Sequence, residues 1–141
     1  MTDQPQQREG FEGGCFCGAV RYRIRGHPRR TTHCHCLHCR RSSGAAFVTW
    51  VEFDPSDFKV VSGTPSRYES RPQVTRQCCG KCGTQLTYEH AEEPNTIDVT
   101  ACSLDNADAI SPEDHVWCDR MVPWLSLADG LPRYKLGRYD T

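Results

Sequence analysis

Residues 79–83 read Cys79-Gly80-Lys81-Cys82-Gly83. A Cys-x-x-Cys pair followed by Gly has the form of a zinc knuckle, because the two intervening residues let both sulfurs face one ion while backbone amides point at the thiolates. The glycine tolerates the tight turn that this arrangement needs. A structural zinc takes four ligands in a tetrahedron, so the chain must supply a second pair elsewhere.

The best candidates for the second pair are Cys15 and Cys17, which lie at the entry to an expected strand. Side chains two positions apart on a strand point to the same face of the sheet, so both sulfurs can reach one ion. Such an ion would tie the start of the domain to its middle and contribute directly to folding. We predict one closed structural zinc site with the ligands Cys15, Cys17, Cys79 and Cys82.

A compact group of three cysteines remains in residues 34–39: Cys34, Cys36 and Cys39. Three protein ligands with an open fourth position are the arrangement of catalytic zinc, where a substrate thiol or a water can bind. Zinc would keep a bound thiol deprotonated at neutral pH and hold a nucleophile ready. Arg40 follows at once and could hold a carboxylate. On spacing alone, a histidine could equally close the site: His33, His35 or His38.

Other interpretations of the ten cysteines stay open. An iron–sulfur cluster also uses four cysteines, but the knuckle followed by glycine favours zinc. A redox-active Cys-x-x-Cys would need the βαβ surroundings of a thioredoxin, which the pattern lacks. Cys78, Cys102 and Cys118 are most simply buried free thiols, although Cys78 or Cys102 could serve a thiol-based sensor. Arg71 and Arg76 are interpreted as surface charges.

The composition indicates one mostly β domain. A chain of 141 residues suits a single domain, and its 11 glycines and 9 prolines favour many turns and short elements. Residues 1–10 are predicted to be a disordered lead-in, which leaves residues 11–141 as the domain. Period-two alternation and turn residues predict strands at 19–25, 46–53, 58–61, 66–70, 74–78, 85–89 and 97–101. Helical turns are predicted at 37–43 and 112–115.

Charge and hydropathy exclude several classes of protein. The 17 basic and 18 acidic side chains give a net charge of -1, whereas a nucleic-acid binder normally carries a basic excess. No apolar run approaches the ~20 residues that span a bilayer, and the polar start lacks the apolar stretch of a signal peptide. We therefore expect a cytoplasmic protein without nucleic-acid or membrane partners. Such a reducing compartment disfavours disulfides and directs the cysteines toward metal or catalysis.

The motifs resemble those of the glutathione-dependent formaldehyde-activating enzyme family, which includes centromere protein V. The resemblance rests on residues 13–22, on the Cys34–Cys36–Cys39 cluster with Arg40, and on residues 79–84. It continues through residues 103–105, 115–117, 123–124 and 131–132. Departures from the family pattern are Cys78 in place of an aromatic residue, Cys102 in place of a glycine, and Cys118.

The resemblance implies an all-β fold of the Mss4-like type, with folded antiparallel sheets around zinc. It also implies two zinc ions, a structural one in the four-cysteine site and a reactive one at Cys34, Cys36 and Cys39. The family's named activity joins glutathione and formaldehyde into S-hydroxymethylglutathione and is classed among carbon–sulfur lyases. Arg40 would then hold a carboxylate of the thiol, and His35 or His38 would move the hydroxyl proton. The alternative is a non-catalytic, zinc-stabilised binding module, and the oligomeric state stays open, with a homodimer compatible.

Overall fold

The computed structural model of the protein describes residues 10–138. These residues form short strands and one seven-residue helix, α1 (Leu37–Ser43), besides single turns of 3-10 helix. The strands are β1 (Phe11–Gly14), β2 (Arg21–Ile24), β3 (Arg30–Cys34), β4 (Val48–Phe53), β5 (Phe58–Ser62), β6 (Ser66–Arg71), β7 (Val74–Cys78), β8 (Gln85–His90), β9 (Ile97–Thr100) and β10 (Asp114–Val116). The predicted lead-in, apart from Gly10, lies outside the described residues.

The strands form two sheets. One has three strands in the order β1-β2-β5, and the other has seven in the order β10-β3-β4-β9-β8-β7-β6. All neighbouring strands pair antiparallel except β10 and β3, which run parallel. The prediction of an all-β fold is confirmed. None of the helices in residues 10–138 is long and apolar enough to cross a membrane.

The main core contains side chains from both sheets. In β2, Tyr22 and Ile24 are buried while the intervening Arg23 is exposed, as the period-two pattern predicts. They belong to one buried cluster with Val51 and Phe53, on one face of β4. Each such side chain removed from water contributes roughly 1.5–3 kcal/mol. This core fixes which face of the seven-stranded sheet turns inward.

The opposite face of the seven-stranded sheet carries a smaller apolar cluster. Its members alternate with the core residues along β4, so that Val48 and Trp50 lie on this face. They pack with Cys34, Cys39 and Val116. This second cluster forms the base of the candidate site described below.

Helix α1 is confirmed at residues 37–43, whereas the helical turn predicted at 112–115 is wrong. Residues 114–116 are the strand β10 instead, with Asp114 opposite Thr32 and Val116 opposite Cys34. The local Pro-Glu-Asp sequence favours a turn, but parallel pairing to β3 overrides it. The carbonyl of Val116 also accepts the N–H of His35 at 3.0 Å. Strands β1 and β3 were likewise not predicted.

Candidate metal centres and the adjoining pocket

The first predicted ligand set is brought together at the edge of the main core. Its four Sγ atoms lie within 4.8 Å of one another. The Sγ–Sγ distances are 3.6 Å from Cys15 to Cys17 and 3.8 Å from Cys17 to Cys79. A tetrahedral ion with zinc–sulfur distances of about 2.3 Å separates its sulfurs by about 3.8 Å. The spacing therefore suits an ion and is far longer than the ~2.05 Å of a disulfide.

Backbone amides point at the sulfurs of this four-cysteine cluster. The N–H of Val20 donates to Cys15 Sγ at 3.2 Å. The N–H groups of Lys81 and Cys82 both donate to Cys79 Sγ at 3.3 Å. Such donors stabilise the thiolate form that a metal requires. The knuckle geometry expected from residues 79–83 is thus present.

The turn after the knuckle depends on its glycine. Gly83 has a φ of 86°, in the left-handed region that a side chain disfavours, and its N–H donates to the Cys79 carbonyl at 2.8 Å. The next residue, Thr84, lies with its hydroxyl 3.3 Å from Cys82 Sγ. Hydrogen bonds from the Thr84 side chain and backbone lower the pKa of Cys82 to about 5. These hydrogen bonds favour the thiolate form of Cys82, which is the form that binds a metal.

The second predicted ligand set meets where β3 ends and α1 begins. The three Sγ atoms of Cys34, Cys36 and Cys39 lie within 4.8 Å of one another. Cys36 is the N-cap of α1, and its Sγ accepts the N–H of Cys39 at 3.3 Å. On the sheet below, Trp50 donates its indole N–H to Cys39 Sγ at 3.3 Å. Two donors thus orient two of the three sulfurs.

The three thiols polarise one another. Hydrogen bonds from Cys34 and then Cys39 lower the pKa of Cys36 to about 2, with backbone amides at the helix start adding to the effect. The same sulfur contacts, together with burial, raise the pKa of Cys34. The contacts therefore favour the thiolate form of Cys36 over that of Cys34, and a bound cation would favour the thiolate form of all three. This chemistry fits a thiophilic divalent ion.

No histidine completes this three-cysteine cluster within residues 10–138. His33 bonds Thr49 through Nδ1 at 2.7 Å, and His35 bonds His115 through Nε2 at 2.9 Å. Both rings lie on the other face of β3, because side chains alternate along the strand. His38 is exposed on α1 and faces the adjoining cavity. A ligand from outside the protein therefore has room at the fourth position.

A cavity of about 790 Å³ opens directly beside the three-cysteine cluster. This volume suits a small molecule. Its floor is the outer face of the seven-stranded sheet, and its walls include Trp117 and Arg120. Trp117 has a φ of 58° and is fixed in this conformation by its N–H, which donates to the Leu136 carbonyl at 3.0 Å.

Charged side chains cross the cavity floor in one row. Successive cross-strand partners on β3, β4, β9, β8 and β7 are Arg30, Glu52, Asp98, Tyr88 and Arg76, and all line the cavity. Burial, reinforced by Glu52 and opposed by Arg30, raises the pKa of Asp98 to about 7. One end of the row is thus basic, its middle is acidic, and its far end is basic again.

Arg76 is a buried cation, which corrects its interpretation as a surface charge. It is only 2% exposed, and its guanidinium lies 5.0 Å from the Tyr88 ring and 6.0 Å from the Trp50 ring. Its hydrogen-bond partners are neutral, chiefly Gln85 at 2.8 Å and Ser70 at 3.1 Å. It forms no ion pair with a carboxylate of residues 10–138.

Four other predicted residues do not line the cavity. Arg40 is on α1, and its guanidinium donates to the Arg120 carbonyl at 3.1 Å. Cys78 and Cys118 are half-buried free thiols, while Cys102 is exposed. The exposure of Cys102 corrects its interpretation as a buried thiol. Period-two alternation in β7 was the only sequence signal for Arg76, and it could not specify which face is covered.

The fold and the site define a class of β-sheet proteins whose clustered cysteines are spaced to hold metal ions. The chain belongs to the family described as "Glutathione-dependent formaldehyde-activating enzyme", whose sequence model matches residues 10–120. A similar curated protein is the "Putative glutathione-dependent formaldehyde-activating enzyme" of Halomonas elongata, with 25% identity over 83% of this chain and 80% of that protein.

A solved structure supports the fold independently. A crystal structure of a Rhodobacter sphaeroides protein superposes with a TM-score of 0.59 and 20% sequence identity. The match covers 87% of this chain and 98% of that one. At this identity the likeness establishes the fold alone.

Proposed function

We propose that the protein is a zinc-dependent enzyme of the carbon–sulfur lyase type, which joins a glutathione-like thiol to a small aldehyde. The observation that carries the proposal is the set of three convergent thiols beside a cavity, with no fourth protein donor among residues 10–138. Family membership supports the thiol and the aldehyde. The proposal includes a single domain over residues 11–141 and a cytoplasmic location.

Two zinc ions are part of the proposal. The four-cysteine cluster would hold a structural ion, and Cys34, Cys36 and Cys39 would hold the reactive one. Zinc at the second cluster would supply Lewis acidity and keep a substrate thiol ionised at neutral pH. The indole of Trp50 orients Cys39, and the N-terminus of α1 orients Cys36, so that both ligands are fixed before substrate arrives.

The reaction forms one carbon–sulfur bond. The thiol loses its proton, its sulfur attacks the aldehyde carbon, and the former carbonyl oxygen gains a proton. His38 is the histidine that faces the cavity, whereas His35 is fully buried and bonded to His115. Of the two predicted candidates, we therefore assign the proton transfer to His38. Arg40 stays a predicted substrate contact.

Arg76 is positioned to bind a carboxylate of the thiol. A buried cation without a counter-charge costs free energy, Arg76 has no carboxylate partner among residues 10–138, and an anion in the cavity would supply that charge. Trp50 lies between the two ends of the site, with its ring 6.0 Å from the Arg76 guanidinium and its N–H 3.3 Å from Cys39 Sγ. A ligand that spans Trp50 can therefore place sulfur at one end and carboxylate at the other.

The test is the addition of formaldehyde to glutathione in the presence of zinc-loaded protein. The rate of exchange between free and adduct forms is measured by NMR exchange spectroscopy. We expect wild-type protein and Cys102→Ser, which changes an exposed thiol, to accelerate the exchange equally. Cys36→Ser should abolish the acceleration. Arg76→Met should raise the KM for the thiol roughly 10- to 100-fold, because the free energy of a hydrogen bond to a charged group corresponds to a change of that size. The control Arg67→Met, on the exposed strand β6, should leave the KM unchanged. Absence of acceleration by wild-type protein would favour the binding module.

A further inference from the structure

A third group of ligand side chains lies on the opposite face of β3 from the three-cysteine cluster. Ligand atoms of His33, His115 and Asp129 lie within 4.8 Å of one another. His33 is half-buried, His115 is fully buried, and Asp129 is exposed. The rings of His33 and His115 are 4.6 Å apart between centroids. This group could not be predicted from the sequence, because Asp129 lies in the aperiodic C-terminal segment.

Both imidazoles are oriented as metal-ligating histidines are. A ligating histidine characteristically bonds through its other ring nitrogen, which fixes the tautomer and the ring orientation. Nδ1 of His33 lies 2.7 Å from the Thr49 hydroxyl, and Nδ1 of His115 lies 2.9 Å from Nε2 of His35. In each ring, Nε2 is thereby the nitrogen available for an ion.

The carboxylate of Asp129 completes the arrangement. Its Oδ1 accepts the N–H of Leu131 at 3.1 Å, and its Oδ2 lies 2.8 Å from Nε2 of His115. An ordinary His–Asp hydrogen bond would account for the second contact alone. It does not account for the approach of His33, whose Nε2 forms no hydrogen bond within residues 10–138.

We propose that His33, His115 and Asp129 form a third metal site, which takes a borderline divalent ion such as Zn²⁺ or Co²⁺. Two imidazoles and one carboxylate suit such ions and lack the thiolates that define the other two clusters. When the ion binds, the His115 proton lies on Nδ1 and is donated to His35. The accessible side of Asp129 gives the ion a path from solvent.

The site joins the C-terminal segment to the cavity wall. His115 exchanges backbone hydrogen bonds with this segment, from its N–H to the Pro132 carbonyl and from the Tyr134 N–H to its own carbonyl, both at 2.9 Å. Two residues beyond His115, Trp117 lines the cavity beside the three-cysteine cluster. An ion held by Asp129 would therefore order the segment against β10 and stiffen that wall.

The test is metal stoichiometry with a spectroscopic label. Protein produced and purified with Co²⁺ in place of zinc should hold ions in both thiolate clusters, with intense sulfur-to-cobalt charge-transfer bands, and is then titrated with more Co²⁺. One further ion per chain should then add only weak d–d absorption. Asp129→Asn should lose the further ion and keep the charge-transfer bands. The control Asp108→Asn, at an exposed position, should keep both the further ion and the bands. Thr49→Val should weaken the further ion roughly 10- to 100-fold.

Two results would overturn the third site: no further ion in wild-type protein, or equal ion content in wild-type protein and Asp129→Asn. If Asp129→Asn fails to fold, the proposal is tested on wild-type protein by NMR of the histidine ring nitrogens. The last equivalent of Zn²⁺ must then shift Nε2 of His33 and His115, and unshifted signals refute the site. None of these measurements depends on turnover. Failure of the third site can therefore be distinguished from failure of the proposed enzyme activity.

Discussion

The division of labour between the two cysteine clusters predicts opposite outcomes for two serine substitutions. Cys79 is 2% exposed, belongs to the main core with Cys15, and accepts two backbone N–H groups. Structural zinc contributes apparent binding free energies of about 10–16 kcal/mol in small domains. The net stability of a domain is only about 5–15 kcal/mol. Cys79→Ser should therefore unfold or aggregate the protein.

Cys36→Ser should leave the protein folded. Cys36 is only half-buried, it lies outside the main core, and its structural task is to cap α1. Serine is a preferred N-cap, so the cap itself should change by no more than about 1 kcal/mol. The remaining loss is the stabilisation that the second ion contributes by binding the native state.

The assay is a thermal melt with metal analysis of both variants, purified with zinc throughout. Cys36→Ser should melt cooperatively and hold one zinc ion fewer than wild-type protein. Cys79→Ser should show no cooperative transition. Equal destabilisation by the two substitutions would refute the reasoning, as would a Cys79→Ser protein that melts like the wild type.

Two further predictions concern the cavity floor. Asp98→Asn removes a carboxyl whose pKa of about 7 lies above the ~4 of an unfolded chain, so the wild-type protein loses stability as pH rises between these values. The free energy of unfolding of Asp98→Asn, measured in urea relative to the wild type, should therefore rise by at most about 2 kcal/mol from pH 5.5 to pH 8. A difference that does not change with pH would contradict this prediction. Trp50→Phe removes the N–H donor to Cys39 and should weaken zinc at that cluster roughly 10- to 100-fold in chelator competition, whereas unchanged affinity would show that the indole contact is incidental.

The sequence predicts the parts of the structure that depend on local spacing. Cysteines two or three positions apart converge through a single turn or one strand face, so both cysteine groups could be predicted before the fold was known. Alternation likewise located β2 and β4, which have one face in the core, and turn residues delimited the shorter strands β5 through β9. The short helix α1 follows from the same local turn, which starts at Cys36 and ends at Gly44 in the left-handed conformation.

What the sequence could not predict depends on pairing between distant segments. Strand β3 contains only five residues, Arg30–Cys34, and is held by β4 on one side and β10 on the other. Its mixture of threonine, histidine and cysteine has no clear alternation. The charged row that ends in Arg76 likewise exists only because strands far apart in sequence are neighbours, and single-strand patterns carry no information about such rows.

The register of β3 decides which chemistry each face of the sheet presents. Cys34 opposite Val48 on β4, together with His33 opposite His115 on β10, places thiolates toward the cavity and imidazoles toward the other face. Because side chains alternate, a slip of one residue would exchange them. The cavity would then receive His33 and lose Cys34. The two strands that flank β3 therefore do more than extend the sheet, since antiparallel pairing on one edge and parallel pairing on the other exclude the slipped alternative from both sides.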